Sequence, residues 1–142
     1  MSVAERWEWI LGLDEKILKG EFLLPAWCTT IVKEADFAYA YRAHLPAILT
    51  AVAGIETYLR SEEPLRVRKT LSQLIDDALV PPNIKVRLHT LPKYRNKWVH
   101  VDDPWDDEDL LDNPEKHDAE LVCMAQEAII LLRETIYSNQ GV

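Results

Sequence analysis

Leu45-Pro46-Ala47-Ile48-Leu49-Thr50-Ala51-Val52-Ala53-Gly54-Ile55-Glu56-Thr57-Tyr58-Leu59 decides the fold. Leu45, Ile48, Leu49, Val52, Ile55 and Leu59 recur at three- and four-residue spacing, so at ~100° per residue they gather into one apolar stripe. That spacing predicts a core helix, ending near Ser61-Glu62-Glu63-Pro64. Working towards the amino terminus, Pro25 suits the opening of a helix whose apolar positions Ile31, Ala35, Ala38 and Tyr39 run towards Pro46. At Pro46 the chain must kink, break or restart. Further upstream, Ser2 and Glu5 form a capping-box pair; Trp7, Ile10, Leu11, Ile17 and Leu18 follow at helical spacing, and Gly20 supplies a stop.

Towards the carboxyl terminus, a shorter helix is predicted from about Val67 to Leu79, carrying Leu71, Leu74, Ile75 and Leu79 and terminated by Pro81-Pro82. Those prolines also open the next helix, whose stripe is Ile84, Leu88, Leu91 and Trp98 and which Pro92 is expected to bend by removing a backbone donor. An acidic loop with Pro104 and Pro114 then leads to a long final helix through Leu121, Ala125, Ala128, Ile129, Leu132 and Ile136. No alternating strand pattern, internal repeat or low-complexity segment interrupts this order. The prediction is an all-α bundle of about five to six helices.

With 142 residues, 48% of them hydrophobic, the chain is sized to bury one core, so residues 1–142 are read as a single domain. Glu5, Arg6 and Glu8 interrupt the first turns, and Lys16 and Lys19 come too late for a secretory n-region. Ala43 to Ile55, the longest stretch in the middle of the chain without Lys, Arg, Asp or Glu, falls short of the ~18 to 20 apolar residues of a membrane span. The expectation is a soluble cytoplasmic protein with no membrane partner. Cys28 and Cys123 lie outside any C-x-x-C pair and within apolar helical pattern, where reduced, inert thiols are expected.

A formal net charge of −8 argues against a broad basic footprint for nucleic acid. The charge is uneven. Asp102, Asp103, Asp106, Asp107, Glu108, Asp109 and Asp112 crowd one segment, whereas Arg60, Arg66, Arg68, Lys69, Lys85, Arg87, Lys93, Arg95 and Lys97 supply a basic middle section. A local basic surface is compatible with this order, and so is a plain solvated acidic loop.

The chemistry concentrates in Arg95-Asn96-Lys97-Trp98-Val99-His100. An imidazole moves protons near neutral pH, a guanidinium holds two phosphate oxygens in its fork, and an amide orients a hydroxyl or phosphate oxygen, all without a metal. Arg95 falls within the apolar stripe of its helix, where a cation needs a partner. One reading pairs it with a carboxylate such as Glu56, next to the core face of its own helix, and leaves His100 merely to end a helix. The other makes Arg95 and His100 a working pair. Five residues apart on an unbroken helix, they point about 140° apart and sit about 7.5 Å apart along the axis. Convergence therefore needs the helix to end near His100, as Val101-Asp102-Asp103-Pro104 suggests, or needs the same segment from a second copy.

Arg95-Asn96-x-x-x-His100 resembles the R-x4-H motif of the HEPN domain, with the asparagine that often follows the arginine there. The order of elements is similar too: an apolar helix with Ala51 to Leu59, a helix carrying the motif, and a long final helix, over roughly Val32 to Tyr137. The resemblance implies an all-α HEPN-like bundle acting as a metal-independent endoribonuclease in a toxin or defence setting. RNA would be its substrate, a second copy its partner across the active-site cleft, and an antitoxin or other regulatory protein a further partner. Arg95 and His100 would be the catalytic pair, Asn96 a polar assistant and Glu56 a carboxylate orienting Arg95. The toxin branch that pairs with a minimal nucleotidyltransferase antitoxin resembles R-x4-H-x-Y, whereas Asp102 stands at that tyrosine position here, so regulation by tyrosine modification is not implied. A non-catalytic module of the same fold, for dimerisation or for binding RNA or a nucleotide, is the alternative, and a scaffold docking a basic protein through its acidic loop is a third.

No metal and no cofactor is expected. The crowded Asp and Glu residues after His100 lack the spacing of a calcium loop, no H-E-x-x-H occurs, and His117-Asp118 has no later Asp to complete a phosphohydrolase set. With four glycines and no phosphate-loop motif, a glycine-rich phosphate cradle is excluded. Trp7 and Trp98 read as packing residues, and Trp9, Trp27 and Trp105 as candidates to line an interface.

Overall fold

The computed structural model describes residues 1–18, 24–63 and 68–139, and among them the chain forms helices and no strand. The order is α1 Val3–Ile17, α2 Ala26–Ala40, α3 His44–Ser61, α4 Leu71–Asp77, α5 Pro82–Val99, α6 Glu108–Asp112 and α7 Pro114–Ile136, followed by a 3-10 turn, Tyr137–Asn139.

Local chemistry accounts for most boundaries. Ser2 Oγ accepts the Glu5 N–H at 3.1 Å, which caps α1; the Gly20 stop lies outside the described residues. The chain breaks at residues 41–43, just ahead of Pro46, and restarts at His44. The Arg42 N–H donates to Tyr39 O at 3.1 Å and the Ala43 N–H to Ala38 O at 2.8 Å, closing α2 with a Schellman turn. Pro46 then falls in the first turn of α3, where its missing donor has no intrahelical role. Thr70 and Gln73 cap α4 reciprocally, with Gln73 N–H to Thr70 Oγ1 at 3.2 Å and Thr70 N–H to Gln73 Oε1 at 2.9 Å. This helix is shorter than the predicted span: Val67 lies outside the described residues, and Leu79, expected on the core stripe, is 87% exposed in the turn after it.

The described residues hold seven α-helices rather than five to six. The added one is α6, whose sequence Glu-Asp-Leu-Leu-Asp buries no residue and so has no apolar stripe to announce it. Pro114, read as part of a loop, opens α7 at its first turn. Helix α5 runs continuously through Pro92.

α3 packs most extensively against α7 and α2. Ala47, Ile48, Ala51, Val52 and Ile55 meet Ala125, Ala128, Ile129 and Leu132 in the core, with Val32, Ala35 and Tyr39 of α2 closing the other side. Small residues let the helices approach closely. A Cβ on Gly54 would lie 2.5 Å from Ile31 Cγ2 and 3.0 Å from Leu132 Cδ1. Ile84, Leu88 and Leu91 seat α5, and Arg87 ties it to α7 through Glu127 at 2.5 Å and Glu134 at 3.2 Å.

Arg133 of α7 is fully buried. It donates in a fork to both carboxylate oxygens of Asp36 on α2, at 2.8 and 2.7 Å, and through Nε to Asp14 of α1 at 2.9 Å. Burial opposes its charge, but the hydrogen bonds and charges of Asp36 and Asp14 outweigh burial and hold its pKa above the ordinary arginine value. Three helices are thereby fixed by one guanidinium. Among the described residues, no helix is long and apolar enough to cross a membrane.

Candidate functional site

The Arg95 to His100 segment occupies the last turn and cap of α5. Ile84, Leu88 and Leu91 bury one face of that helix, while Trp98, at the end of the same stripe, is half-buried. Arg95 is half-buried as well. Its Nε and Nη2 both donate to Asn96 Oδ1, at 3.1 and 2.9 Å, so guanidinium and amide form one unit. His100 is the helix C-cap, exposed, with φ −125° and ψ 55°, and its N–H donates to Asn96 O at 3.1 Å. The chain leaves helical geometry at the histidine itself, which frees the imidazole from the fixed angular offset of a continuous helix.

Glu56 is not part of this arrangement. Its Oε1 accepts from Arg60 Nη2 at 3.0 Å, one turn along α3, and no ion pair joins it to Arg95. The expectation that Glu56 orients Arg95 is corrected accordingly: an i,i+4 arginine on its own helix meets the carboxylate at little cost in chain ordering. Among the described residues no carboxylate forms an ion pair with Arg95, so its charge remains open to an external anion.

The polar cluster beside the motif centres on His117, which is 4% exposed. His117 Nε2 lies 2.7 Å from Asp109 Oδ2, and Lys97 Nζ lies 3.0 Å from His117 Nδ1 and 3.1 Å from Glu120 Oε2. The network assigns the tautomer: an ammonium can only donate and a carboxylate only accept, so Nδ1 accepts from Lys97 and Nε2–H donates to Asp109. The hydrogen bond from His117, then that from Asn113, holds Asp109 below the usual aspartate range. The Lys97 hydrogen bond does the same for Glu120. Trp98 meets the His117 ring edge-on at 6.5 Å, and Lys97 Nζ sits 5.6 Å from the ring centroids of both Tyr94 and Trp98. α5, α6 and α7 are thus fastened together around His117, and the acidic segment is anchored next to the motif. His117 does not pair with Asp118, its neighbour in sequence; its hydrogen-bond partners, Lys97 and Asp109, come from α5 and α6.

Val99, Val101 and Trp105 flank the motif at 42%, 51% and 86% exposure. Trp27 is exposed too, whereas Trp9 is half-buried against Tyr39 with ring centroids 5.1 Å apart. The cysteines differ. Cys28 is buried, and burial raises its thiol pKa, but Cys123 is exposed, so apolar helical pattern, from which both thiols are expected to be inert, encloses only the first. Among the described residues no group of three His, Cys, Asp or Glu side chains is placed to hold a metal ion. Compared with known proteins, the chain matches no family model, no curated sequence and no solved structure.

Proposed function

We propose that this protein is a metal-independent endoribonuclease of the HEPN type, working as a homodimer in a toxin or defence setting. One observation carries the reading: Arg95 is bonded to Asn96 at the end of α5, without a carboxylate partner among the described residues, and His100 ends that helix in an exposed cap. A guanidinium already neutralised by a buried carboxylate would serve structure; this one keeps its charge for a ligand.

In the proposed reaction the RNA 2′-hydroxyl attacks the adjacent phosphorus and the bond to the 5′ oxygen of the next nucleotide breaks. His100 removes the 2′ proton or protonates the leaving oxygen, and Arg95 stabilises the charge that builds on the non-bridging oxygens. Asn96 fixes the guanidinium plane through Oδ1. The products are a 2′,3′-cyclic phosphate and a 5′-hydroxyl. Exposed Val99, Val101 and Trp105 support the dimer, since a second copy seated there would cover apolar surface and bring a second Arg95 and His100 towards the same groove.

End-group analysis of RNA incubated with the protein tests the reaction, with cyclic phosphate and 5′-hydroxyl ends expected. Ends bearing a 3′-hydroxyl and 5′-phosphate contradict it, because they require attack by water. Light scattering at micromolar concentration tests the dimer, and a monomer under those conditions removes the composite cleft.

A further inference from the structure

A second cationic site lies at the turn between α2 and α3, on elements other than α5, and does not depend on the role of Arg95 and His100. Arg6, Tyr39, Arg42, His44 and Gln126 supply the polar lining of a cavity of about 370 Å³ there. Arg6 is 4% exposed; its Nε donates to Ala40 O at 2.7 Å and its Nη1 to Met1 O, but Nη2 has no hydrogen-bond partner. Arg42 Nη2 reaches the same Met1 carbonyl at 3.4 Å. Both guanidinium groups bond to backbone carbonyls, and among the described residues neither has a carboxylate partner, in contrast to Arg133 with its two. Arg6 is a buried permanent cation without a counter-ion, which is costly unless something compensates it, and the exposed Arg42 adds a second positive charge beside the same cavity.

Other features of the same lining are consistent with a ligand there. His44 Nδ1 is a second buried polar atom without a partner. Burial, then the charges of Arg6 and Arg42, lowers the His44 pKa against the smaller opposing charge of Asp118, so the two cations outweigh the nearby carboxylate at the imidazole. Tyr39 Oη accepts from Gln126 Nε2 at 2.8 Å, leaving the phenol hydrogen to donate. Arg42 holds φ 65° at the C′ position of α2, where glycine is the usual residue. An arginine kept in that left-handed conformation beside a cavity fits a local backbone cost retained for function.

We propose that this cavity binds a dianionic phosphate group, either free phosphate or the phosphoryl end of a small phosphate monoester. Two permanent cations without counter-ions match a dianion better than a singly charged carboxylate, and guanidinium and phenol groups donate to it. The volume falls in the lower part of the ~300 to 1,000 Å³ typical of ligand sites, which leaves room for a small organic group.

Calorimetric titration of the full chain with glycerol 3-phosphate, inorganic phosphate and acetate tests this. Saturable binding of at least one phosphate probe is expected, with acetate at least roughly tenfold weaker. A preference for glycerol 3-phosphate identifies a monoester site, and a preference for inorganic phosphate a free-phosphate site. Arg42→Gly relieves the left-handed strain, so the variant should melt no lower than wild type while phosphate affinity falls about 10- to 100-fold. Arg6→Gln should weaken binding in the same direction. The proposal is overturned by absent binding of both phosphate probes up to roughly 10 mM, by acetate binding as tightly, or by an Arg42→Gly variant of unchanged affinity.

Discussion

Asp36→Asn should leave the fully buried Arg133 with one remaining counter-charge, Asp14, and a single amide oxygen in place of the two-oxygen carboxylate fork. Breaking a buried ion pair by deleting one partner costs about 3 to 5 kcal/mol, and the surviving Asp14 contact places Asp36→Asn near the lower end, at about 3 kcal/mol. Unfolding entropy of ~2.1 cal/mol/K per residue gives about 0.3 kcal/mol/K for a chain of 142 residues. The melting temperature should therefore fall by about 10 °C in calorimetry or circular dichroism. Replacing both partners, as Asp36→Leu with Arg133→Met, removes the stranded charge, and Asp14, whose side chain is 35% exposed, can turn to water. The double variant should recover to within about 1 to 2 kcal/mol of wild type, a coupling that additive single effects cannot produce. An Asp36→Asn protein melting within a few degrees of wild type, or a double variant as unstable as the sum of its parts, would show that Asp36 does not hold the buried Arg133 charge.

Further expectations follow from other contacts. Gly54→Ala gains about 1 kcal/mol of helix propensity but drives a methyl into Ile31 Cγ2, with overpacking of about 1 to 3 kcal/mol, so net destabilisation is expected in urea unfolding. Adding Ile31→Ala should recover part of that loss, and a Gly54→Ala protein more stable than wild type would show that the α2–α3 contact yields freely. A thiol reagent should label Cys123 in the native protein and Cys28 only after unfolding; equal native labelling of both would contradict the buried position of Cys28. Because the folded-state pKa of Asp109 lies below its ordinary value of 3.8, the stabilisation it provides is present above that value and lost as pH falls through the lowered one. The difference in melting temperature between wild type and Asp109→Asn should therefore shrink as pH drops below about 4, and a difference independent of pH from 6 to 2 would contradict the His117 contact.

Legibility in the sequence followed the range of the interaction. The cap at Ser2, the restart around Pro46 and the stripe of α3 depend on neighbours within a turn or two, and their spacing is written in the chain. So is the end of α5 at His100, foreshadowed by Val101-Asp102-Asp103-Pro104. Helix α6 left no trace because it buries nothing. The partners of His117 stand 8 and 20 residues away on other helices, and those of Arg133 stand 97 and 119 residues away, so no spacing rule reaches them. Arg133 did carry a signal: like Arg95, it is a charge inside the run of Ile129, Leu132 and Ile136. The two cations found opposite solutions, one sealed by carboxylates and the other bonded to a neutral amide. Glu56 meets Arg60, four residues along the same helix, rather than Arg95, because the nearer arginine needs no tertiary contact to reach it.

If Arg95 and His100 cut RNA without a metal, the cleavage rate of a labelled RNA in EDTA shows it directly. Wild type should cleave in the chelator, while Arg95→Ala and His100→Ala, both folded by circular dichroism, should each lose at least roughly 100-fold in rate. Intact RNA with wild type, or cleavage that persists equally in both variants, would rule out this pair as the metal-independent catalytic site.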